Sequence, residues 1–201
     1  MCYYSYLIIQ QSLYVWIFLS FCLCYIIFTI HNRERGLYHM IREMQPGDWN
    51  EIKRIYQQGI DSKNATFETA APEYSSWDNS HLRECRLVSV NPEGKIDGWV
   101  ALSPTSCRQA YKGVAEVSIY IDKDRIRQHI GYTLMQKLIS LSEEHGIWTL
   151  YSSIIATNHA SISFHMKCGF RIIGTREKIA KDSDGIWKDT VIMERRSNVI
   201  F

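Results

Sequence analysis

The sequence lacks several features that would place it in a familiar class. Its six cysteines include no CxxC pair, and no Cys/His cluster has zinc-finger spacing. Basic residues exceed acidic ones only by 23 to 21, which excludes a broad basic surface for nucleic acid. Internal repeats and low-complexity linkers are also missing, so one domain is expected. These absences predict an intracellular protein with reduced thiols, no metal and no nucleic-acid partner.

Charged residues are absent from residues 1–32, and residues 13–30 form an apolar run, LYVWIFLSFCLCYIIFTI. As a helix this run is about long enough to cross a bilayer, and the basic residues that follow would keep the domain cytoplasmic. A cleaved signal peptide fits poorly, because no basic region precedes the run and no small-residue cleavage site follows it. Two interpretations stay open. Either residues 1–39 anchor the protein in an inner membrane, or translation starts at Met40, which we favour and which leaves a cytoplasmic domain at 40–201.

From Met40 onward the hydrophobic pattern predicts alternating strands and helices. A short strand precedes a helix that Asp48 is expected to cap, and NATFET at 64–69 is expected to be β-rich. LVSV at 87–90 and IDGWVALS at 96–103 predict a β-hairpin. The other predicted elements are helices at 72–82, 131–145 and 160–168, and strands at 114–121, 149–155, 170–174 and 186–194. The pattern predicts an α/β (α+β) fold, a mixed sheet with helices on both faces.

Glu116 is the single carboxylate of the apolar strand VAEVSIYI. Such a carboxylate is costly unless it faces a polar cleft or has a partner, and it often has the raised pKa that suits a general base. A paired structural glutamate, or one at a strand edge facing water, explains the residue equally well. The loop that follows, RIRQHIG at 125–131, leads into a helix, and its amides with the helix dipole predict a site for phosphates.

The chain from Met40 onward resembles the GNAT superfamily of acyl-CoA-dependent N-acetyltransferases, most closely its phosphinothricin/methionine sulfoximine acetyltransferase branch. The resemblance rests on ATFET, GVAEVSIYI, IGYTLM, the NxxSIxxHxxxGF pattern from Asn158 to Phe170, and GIWKDTVIME. It implies the GNAT fold, acetyl-CoA as co-substrate without a metal, a small amino-acid-like acceptor and a homodimer.

The resemblance also implies roles for individual residues. It makes Glu116 the general base and places His165 near the thioester or acceptor as a second catalytic residue. The residues implied in acetyl-CoA binding are Ile119, Tyr120, Ile121, Arg127, Gln128, His129, Ile130, Gly131, Tyr132, Asn158 and Lys167. Those implied in acceptor binding are Phe67, Tyr111 and Lys112, and either Lys112 or Arg108 would be the cation for the acceptor carboxylate.

Several of these roles have alternatives. Asn158 could cap a helix, His165 could be a satisfied structural histidine, and Lys167 could simply be solvated. Tyr151 and Tyr120 are both candidate acids for the departing thiolate, and the sequence does not choose between them.

The phosphate loop departs from the family pattern of Arg or Gln, two variable residues, Gly, one residue, then Gly or Ala. Ile126 occupies the first position, His129 replaces the middle glycine, and Arg127 occupies a site that is often glycine. A side chain at the middle position hinders close approach of a phosphate, which nearby positive charge would partly offset. The alternative function is therefore a catalytically weakened acyl-CoA-binding protein, with or without a membrane anchor. A third possibility, acetylation of protein N-termini or lysines, would need an open peptide groove.

Overall fold

A mixed β-sheet organises residues 39–201, the part of the chain that the computed structural model describes. Seven strands pair in this part, in the order β1-β2-β3-β4-β5-β7-β6. They are β1 (Met40–Glu43), β2 (Leu87–Val90), β3 (Ile96–Pro104), β4 (Val114–Ile121), β5 (Thr149–Ile155), β6 (Arg171–Lys181) and β7 (Trp187–Arg196). The β4–β5 pair is parallel and the other neighbours are antiparallel.

Helices pack on both faces of this sheet, as the pattern predicted. The described residues contain α1 (Trp49–Asp61), α2 (Tyr74–Ser80), α3 (Ile130–Glu144) and α4 (His159–Lys167). Successive residues of a strand point to opposite faces, so Trp99 and Val100 of β3 belong to different cores. Trp99 packs with α1 and α2, whereas Val100 packs with α3.

Asp48 stands at the predicted N-cap position of α1, but its side chain does not cap the helix. Its backbone is already helical, with φ −77° and ψ −12°, and its side chain makes no capping hydrogen bond. The carboxylate instead accepts two hydrogen bonds from Arg42, at 2.6 and 2.8 Å, and one from the Gln45 amide at 2.7 Å. The Arg42 guanidinium competes with the helix amides and ties β1 to the start of α1.

The expected strand at 64–69 is wrong, because the structure has a loop there. The Ser62 hydroxyl accepts a hydrogen bond from the Asn64 amide at 3.3 Å, and the Thr66 hydroxyl accepts one from Glu68 at 3.1 Å. Such local side-chain bonds offer the backbone an alternative to ladder pairing. The segment therefore becomes a loop, although its composition favours a strand.

The parallel β4–β5 ladder is short. It pairs Val114 with Thr149, Ala115 with Leu150 and Glu116 with Tyr151. Both strands continue, β4 to Ile121 and β5 to Ile155, with no further ladder pair between them in the described region. The strands therefore part after Glu116, and the sheet forks at this point.

The apolar run at 13–30, the candidate membrane anchor, lies outside the described residues. Between residues 39 and 201, no helix has both the length and the hydropathy needed to cross a membrane.

Candidate active site

A cleft of about 1450 Å³ opens where β4 and β5 part. Its walls are β4 from Glu116, the end of β5, the loop around Phe67, the loop before α3, and α4. The structure brings most of the predicted site residues into this lining: Glu116, His165, Ile119, Tyr120, Ile121, Arg127, His129, Ile130, Gly131, Tyr132, Asn158, Lys167 and Phe67.

Three predicted residues, Gln128, Tyr111 and Lys112, lie outside the lining of the cleft. Tyr111 ends a short 3-10 turn in the connection between β3 and β4, and Lys112 follows it; both are exposed. Neither of the cations expected to meet the acceptor carboxylate, Lys112 and Arg108, therefore lines the cleft. The predicted roles of Tyr111 and Lys112 in acceptor binding remain predictions.

Glu116 occupies the fork itself. It is half-buried, and burial raises the pKa of its carboxyl above the ordinary value, while the Ser153 amide and the charge of Arg176 act in the opposite direction. A carboxylate with a raised pKa accepts a proton more readily than an ordinary glutamate does. The position and environment of Glu116 are those that a general base requires.

The β4 backbone offers hydrogen-bonding groups along one side of the cleft. β4 pairs with β3 from Ala115 to Ile121, but with β5 only up to Glu116. Some N–H and C=O groups of residues 117–121 therefore lack a strand partner among the described residues and need partners of another kind. An extended ligand with amide groups would satisfy them.

The loop before α3 adopts a backbone that glycine favours, although it carries side chains at the critical places. Arg127 has φ 63° and His129 has φ 61°, both left-handed, and α3 begins directly after His129. The cleft lining also includes Arg125 and Lys167. A helix N-terminus with cations around it is suited to bind phosphate.

Gly131 allows α3 to lie close to α4. A Cβ atom at this position would be 3.4 Å from the Phe164 ring and 3.6 Å from Ile121. These are ordinary van der Waals distances, so an alanine would also fit, whereas a larger side chain would have to displace Phe164 or Ile121. A small residue at this position therefore keeps the first turn of α3 against the cleft.

Asn158 uses both ends of its side chain within the protein. Its Oδ1 accepts a hydrogen bond from the Ser161 amide at 3.1 Å, which caps α4, and its Nδ2 donates to the Asn64 carbonyl at 2.9 Å. The capping alternative is thus confirmed. The Thr157 hydroxyl adds a bond to Asn64 Oδ1 at 2.7 Å, so the 64–68 loop is tied to the end of β5. Contact between Asn158 and acetyl-CoA remains a prediction.

His165 is buried at 2% exposure, with edge-to-face contacts to Phe164 and Phe170. Its Nδ1 lies 2.9 Å from the Ser161 carbonyl, which can only accept, so we assign the proton to Nδ1. Burial lowers the pKa of the imidazole, and Nε2 has no hydrogen-bond partner in the described residues. His165 therefore lines the cleft as a neutral imidazole, and its Nε2 can accept a hydrogen bond.

The two candidate acids have different surroundings. Tyr120 stacks on Trp99 with ring centroids 4.9 Å apart, and burial raises the pKa of its hydroxyl. The Tyr151 hydroxyl lies outside the cleft lining and accepts a hydrogen bond from Arg176 at 3.0 Å.

The cleft also contains residues that the sequence prediction missed, among them Tyr56, Thr66, Glu68, Ser118, Ser152, Ser153 and Ser161. Ser118 could have been found from the sequence, because it follows Glu116 by two positions on the same face of a strand. Arg125 directly precedes the position where the family pattern has Arg or Gln. Within residues 39–201, no group of three or more His, Cys, Asp or Glu side chains is placed to hold a metal ion.

Comparison with known proteins agrees with this geometry. The model of the acetyltransferase (GNAT) family matches residues 47–170, more than half of the chain. The phosphinothricin N-acetyltransferase of Alcaligenes faecalis is 29% identical over 168 residues, which cover 79% of this chain and 82% of that protein. The L-methionine sulfoximine/L-methionine sulfone acetyltransferase of Pseudomonas aeruginosa PAO1 is 24% identical over 77% of this chain and 92% of that protein.

Among solved structures, a phosphinothricin acetyltransferase from Sinorhizobium meliloti in complex with AcCoA superimposes with a TM-score of 0.70. The superposition covers 81% of this chain and 95% of that chain, at 22% identity, which shows a common fold. With the matched family model and the forked sheet described above, these findings establish that the chain belongs to the acetyltransferase (GNAT) family.

Proposed function

We propose that this protein transfers the acetyl group of acetyl-CoA to the primary amine of a small amino-acid-like acceptor of the phosphinothricin or methionine sulfoximine type. One observation carries the proposal. Glu116, a carboxylate with a raised pKa, lies at the fork of a cleft that the N-terminus of α3 also lines. Relatives named for these two acceptors support the choice of substrate class.

The residues of the cleft fit acetyl-CoA. The backbone amides of the 125–131 loop, with Arg127 and Lys167, would hold the pyrophosphate. The unpaired amides of residues 119–121 would meet the amide groups of the pantetheine arm. When bound, acetyl-CoA supplies an acetyl group activated as a thioester, and the protein supplies orientation and electrostatics.

The chain's own residues then handle the proton and the developing charge. Glu116 accepts a proton from the acceptor ammonium, which leaves a neutral amine as the nucleophile. A backbone N–H of residues 117–121 stabilises the oxyanion that forms when the amine attacks the carbonyl. Phe67 forms part of the wall beside the acceptor. His165 keeps its ring neutral at the same cleft and is the second-ranked catalytic residue.

A thiol-release assay on the full chain tests this proposal. With acetyl-CoA and a panel including phosphinothricin and methionine sulfoximine, CoA should appear only when an acceptor amine is present. Saturation with acetyl-CoA but no turnover with any amine would favour the alternative of a binding protein. Absence of acetyl-CoA binding by calorimetry would refute the whole assignment.

We further propose that residues 40–201 are the working domain and that it acts in the cytoplasm. Residues 39–201 form a compact unit of their own, and Cys85, Cys107 and Cys168 are free thiols. A chain that starts at Met40 should match the full chain in soluble yield and specific activity. Loss of either property would show that the upstream residues contribute.

A homodimer is the expected assembly, and the edge strand β6 supports it. Its exposed apolar side chains include Ile172, Ile173 and Ile179, and the exposed Trp187 lies on the neighbouring strand. An exposed, apolar edge strand is suited to pair with a second chain. Sedimentation equilibrium should give twice the monomer mass, and Ile179→Lys should lower it. A monomeric wild-type protein would refute this assembly.

A further inference from the structure

We infer that Arg176 binds the carboxylate of the acceptor and thereby selects amino acids over other amines. The inference rests on the proposed function. It arises because Lys112 and Arg108, the cations expected for this role, lie outside the cleft lining. Arg176 lies outside that lining as well, but it is on the same sheet face as Glu116, and its guanidinium contacts the Tyr151 hydroxyl beside Glu116.

The strand register places Arg176 on that face. Arg176 pairs with Thr190 across β6 and β7, and Thr190 pairs with Ile155 of β5, a residue of the cleft lining. Ile155 and Tyr151 are four residues apart on one strand, so their side chains share a face, and Tyr151 pairs with Glu116. The guanidinium and the carboxylate therefore project from the same side of the sheet.

Side-chain contacts bring the two groups together. The Arg176 guanidinium donates a hydrogen bond to the Tyr151 hydroxyl at 3.0 Å, and Tyr151 neighbours Glu116 in the last ladder pair. The positive charge of Arg176 is close enough to act on Glu116, where it opposes the effect of burial on the carboxyl pKa. No other side-chain charge is among the causes of that shift.

Arg176 is also free to meet a ligand. It is exposed, and no carboxylate in the described region lies within 4.0 Å of it, in contrast to Arg171 on the same strand, which pairs with Glu194. Beside it, Thr190 is buried at 2% exposure, and its hydroxyl has no hydrogen-bond partner in residues 39–201. A buried hydroxyl without a partner is uncommon, and a ligand or a water commonly satisfies it.

The chemistry of an amino acid matches this arrangement. Its amine and carboxylate are attached to one carbon, so an amine that delivers a proton to Glu116 places the carboxylate a few ångströms away. The cations that line the cleft, Arg125, Arg127 and Lys167, lie in the loop before α3 and at the end of α4, where the pyrophosphate is proposed to bind. A planar guanidinium that is already oriented by Tyr151 can bind a carboxylate through two hydrogen bonds.

Steady-state kinetics with methionine sulfoximine and its carboxamide test the inference. Arg176→Met should lower kcat/KM for the acid by roughly 10- to 100-fold, the loss of a charge-assisted hydrogen bond, through KM. At a pH well above the acid limb of kcat/KM, values for the carboxamide and the KM for acetyl-CoA should stay unchanged. Arg176→Lys should restore part of the loss, and the matched control Arg171→Met should behave as wild type.

Several outcomes would overturn the inference. Arg176→Met could leave the KM for the acid unchanged, or it could lower kcat/KM equally for the acid and the carboxamide. The wild-type enzyme could also prefer the carboxamide. In each of these cases the proposed acetyl transfer itself would still hold. If no acceptor is acetylated, the proposed function fails instead. Calorimetric titration of methionine sulfoximine into CoA-saturated protein then decides on Arg176: binding that Arg176→Met abolishes supports the inference, and absent or unchanged binding refutes it.

Discussion

Glu116 lies opposite Tyr151 in the last residue pair of the parallel β4–β5 ladder, and the strands part immediately beyond it. This relationship places one carboxylate where the cleft begins. The unpaired β4 backbone extends from it toward the loop at the N-terminus of α3. A proton acceptor, a row of backbone donors and an anion-binding loop therefore follow one another along a single strand and its extension.

Removal of the side chain at His129 tests the altered phosphate loop. A left-handed backbone costs a non-glycine residue about 1–2 kcal/mol, while glycine loses more chain entropy on folding. His129→Gly should therefore increase the free energy of unfolding by up to about 1 kcal/mol, measured by urea denaturation. It should also tighten acetyl-CoA binding in calorimetry, because the backbone becomes more accessible to phosphate.

Gln128→Gly is the matched control for this loop. Gln128 lies between the two left-handed residues, does not itself have a positive φ, and is outside the cleft lining. Glycine there adds only flexibility, so the protein should lose about 0.5–1 kcal/mol of stability. If His129→Gly also lowered the free energy of unfolding, the imidazole would stabilise the fold by more than the left-handed backbone of His129 destabilises it.

Asn158 offers a test of how the 64–68 loop is held. Asn158→Ala removes both the α4 cap and the bond to the Asn64 carbonyl. The free energy of unfolding should fall by about 1–2 kcal/mol. Thr157→Val removes only the neighbouring bond to Asn64 and should cost about 0.5–1.5 kcal/mol, the net contribution of one ordinary hydrogen bond. Equal effects of the two variants would contradict a capping role for Asn158.

His165 predicts how stability depends on pH. Burial lowers its pKa in the folded state below the ordinary value of 6.5, so the unfolded chain binds more protons between the two values. Its contribution to stability is therefore complete above about pH 6.5 and is lost as pH falls, by up to about 1.4 kcal/mol per pH unit. Urea denaturation at about pH 7.5 and about pH 5.5 measures this loss.

His165→Gln should reduce the difference in unfolding free energy between these two pH values. His81, whose pKa burial also lowers, is present in both proteins, so the comparison isolates His165. His159→Gln, an exposed change on the same helix, should keep the wild-type difference. An unchanged pH dependence in His165→Gln would show that the pKa of the His165 imidazole is not lowered in the folded state.

Much of the fold could be predicted from periodicity. Alternating apolar residues identified β4, and helical spacing of Leu134 and Leu138 identified α3. The errors have local causes, since composition favoured a strand at 64–69 and a cap at Asp48. In the first place, the Thr66 hydroxyl accepts a hydrogen bond from the Glu68 backbone amide, and in the second, the Arg42 guanidinium binds the carboxylate that was expected to cap the helix. Such competition depends on geometry that the order of residues does not reveal.

The candidate site was predicted unevenly, and the reason is distance along the chain. Residues of β4, the phosphate loop and α4 belong to continuous motifs, so resemblance identified them together. Arg176 follows Glu116 by a long stretch of chain and reaches the same sheet face only through the β5–β7–β6 register. The positive φ angles at Arg127 and His129 were not predicted, although both residues stand where the family pattern often has glycine, and histidine adopts this backbone more readily than most residues do.

Removal of the Arg176 charge should alter the pH dependence of catalysis. Arg176 lowers the pKa of Glu116, so Arg176→Met should shift the acid limb of kcat/KM to higher pH, by a few tenths to about one unit. The carboxamide acceptor is the proper probe, because its binding should not depend on Arg176. A limb that stays in place, or moves to lower pH, would show that the two charges do not interact.

The pH profile of Glu116→Gln tests the central claim most directly. In the wild type, kcat/KM should rise with pH through an acid limb above the ordinary glutamate value of 4.5, because burial raises the Glu116 pKa. Glu116→Gln should lower kcat/KM by roughly 10²–10⁴-fold and abolish that limb. Glu194→Gln, a carboxylate of the same sheet outside the cleft lining, should keep it. Wild-type turnover with an unchanged acid limb in Glu116→Gln would contradict the assignment of Glu116 as the base.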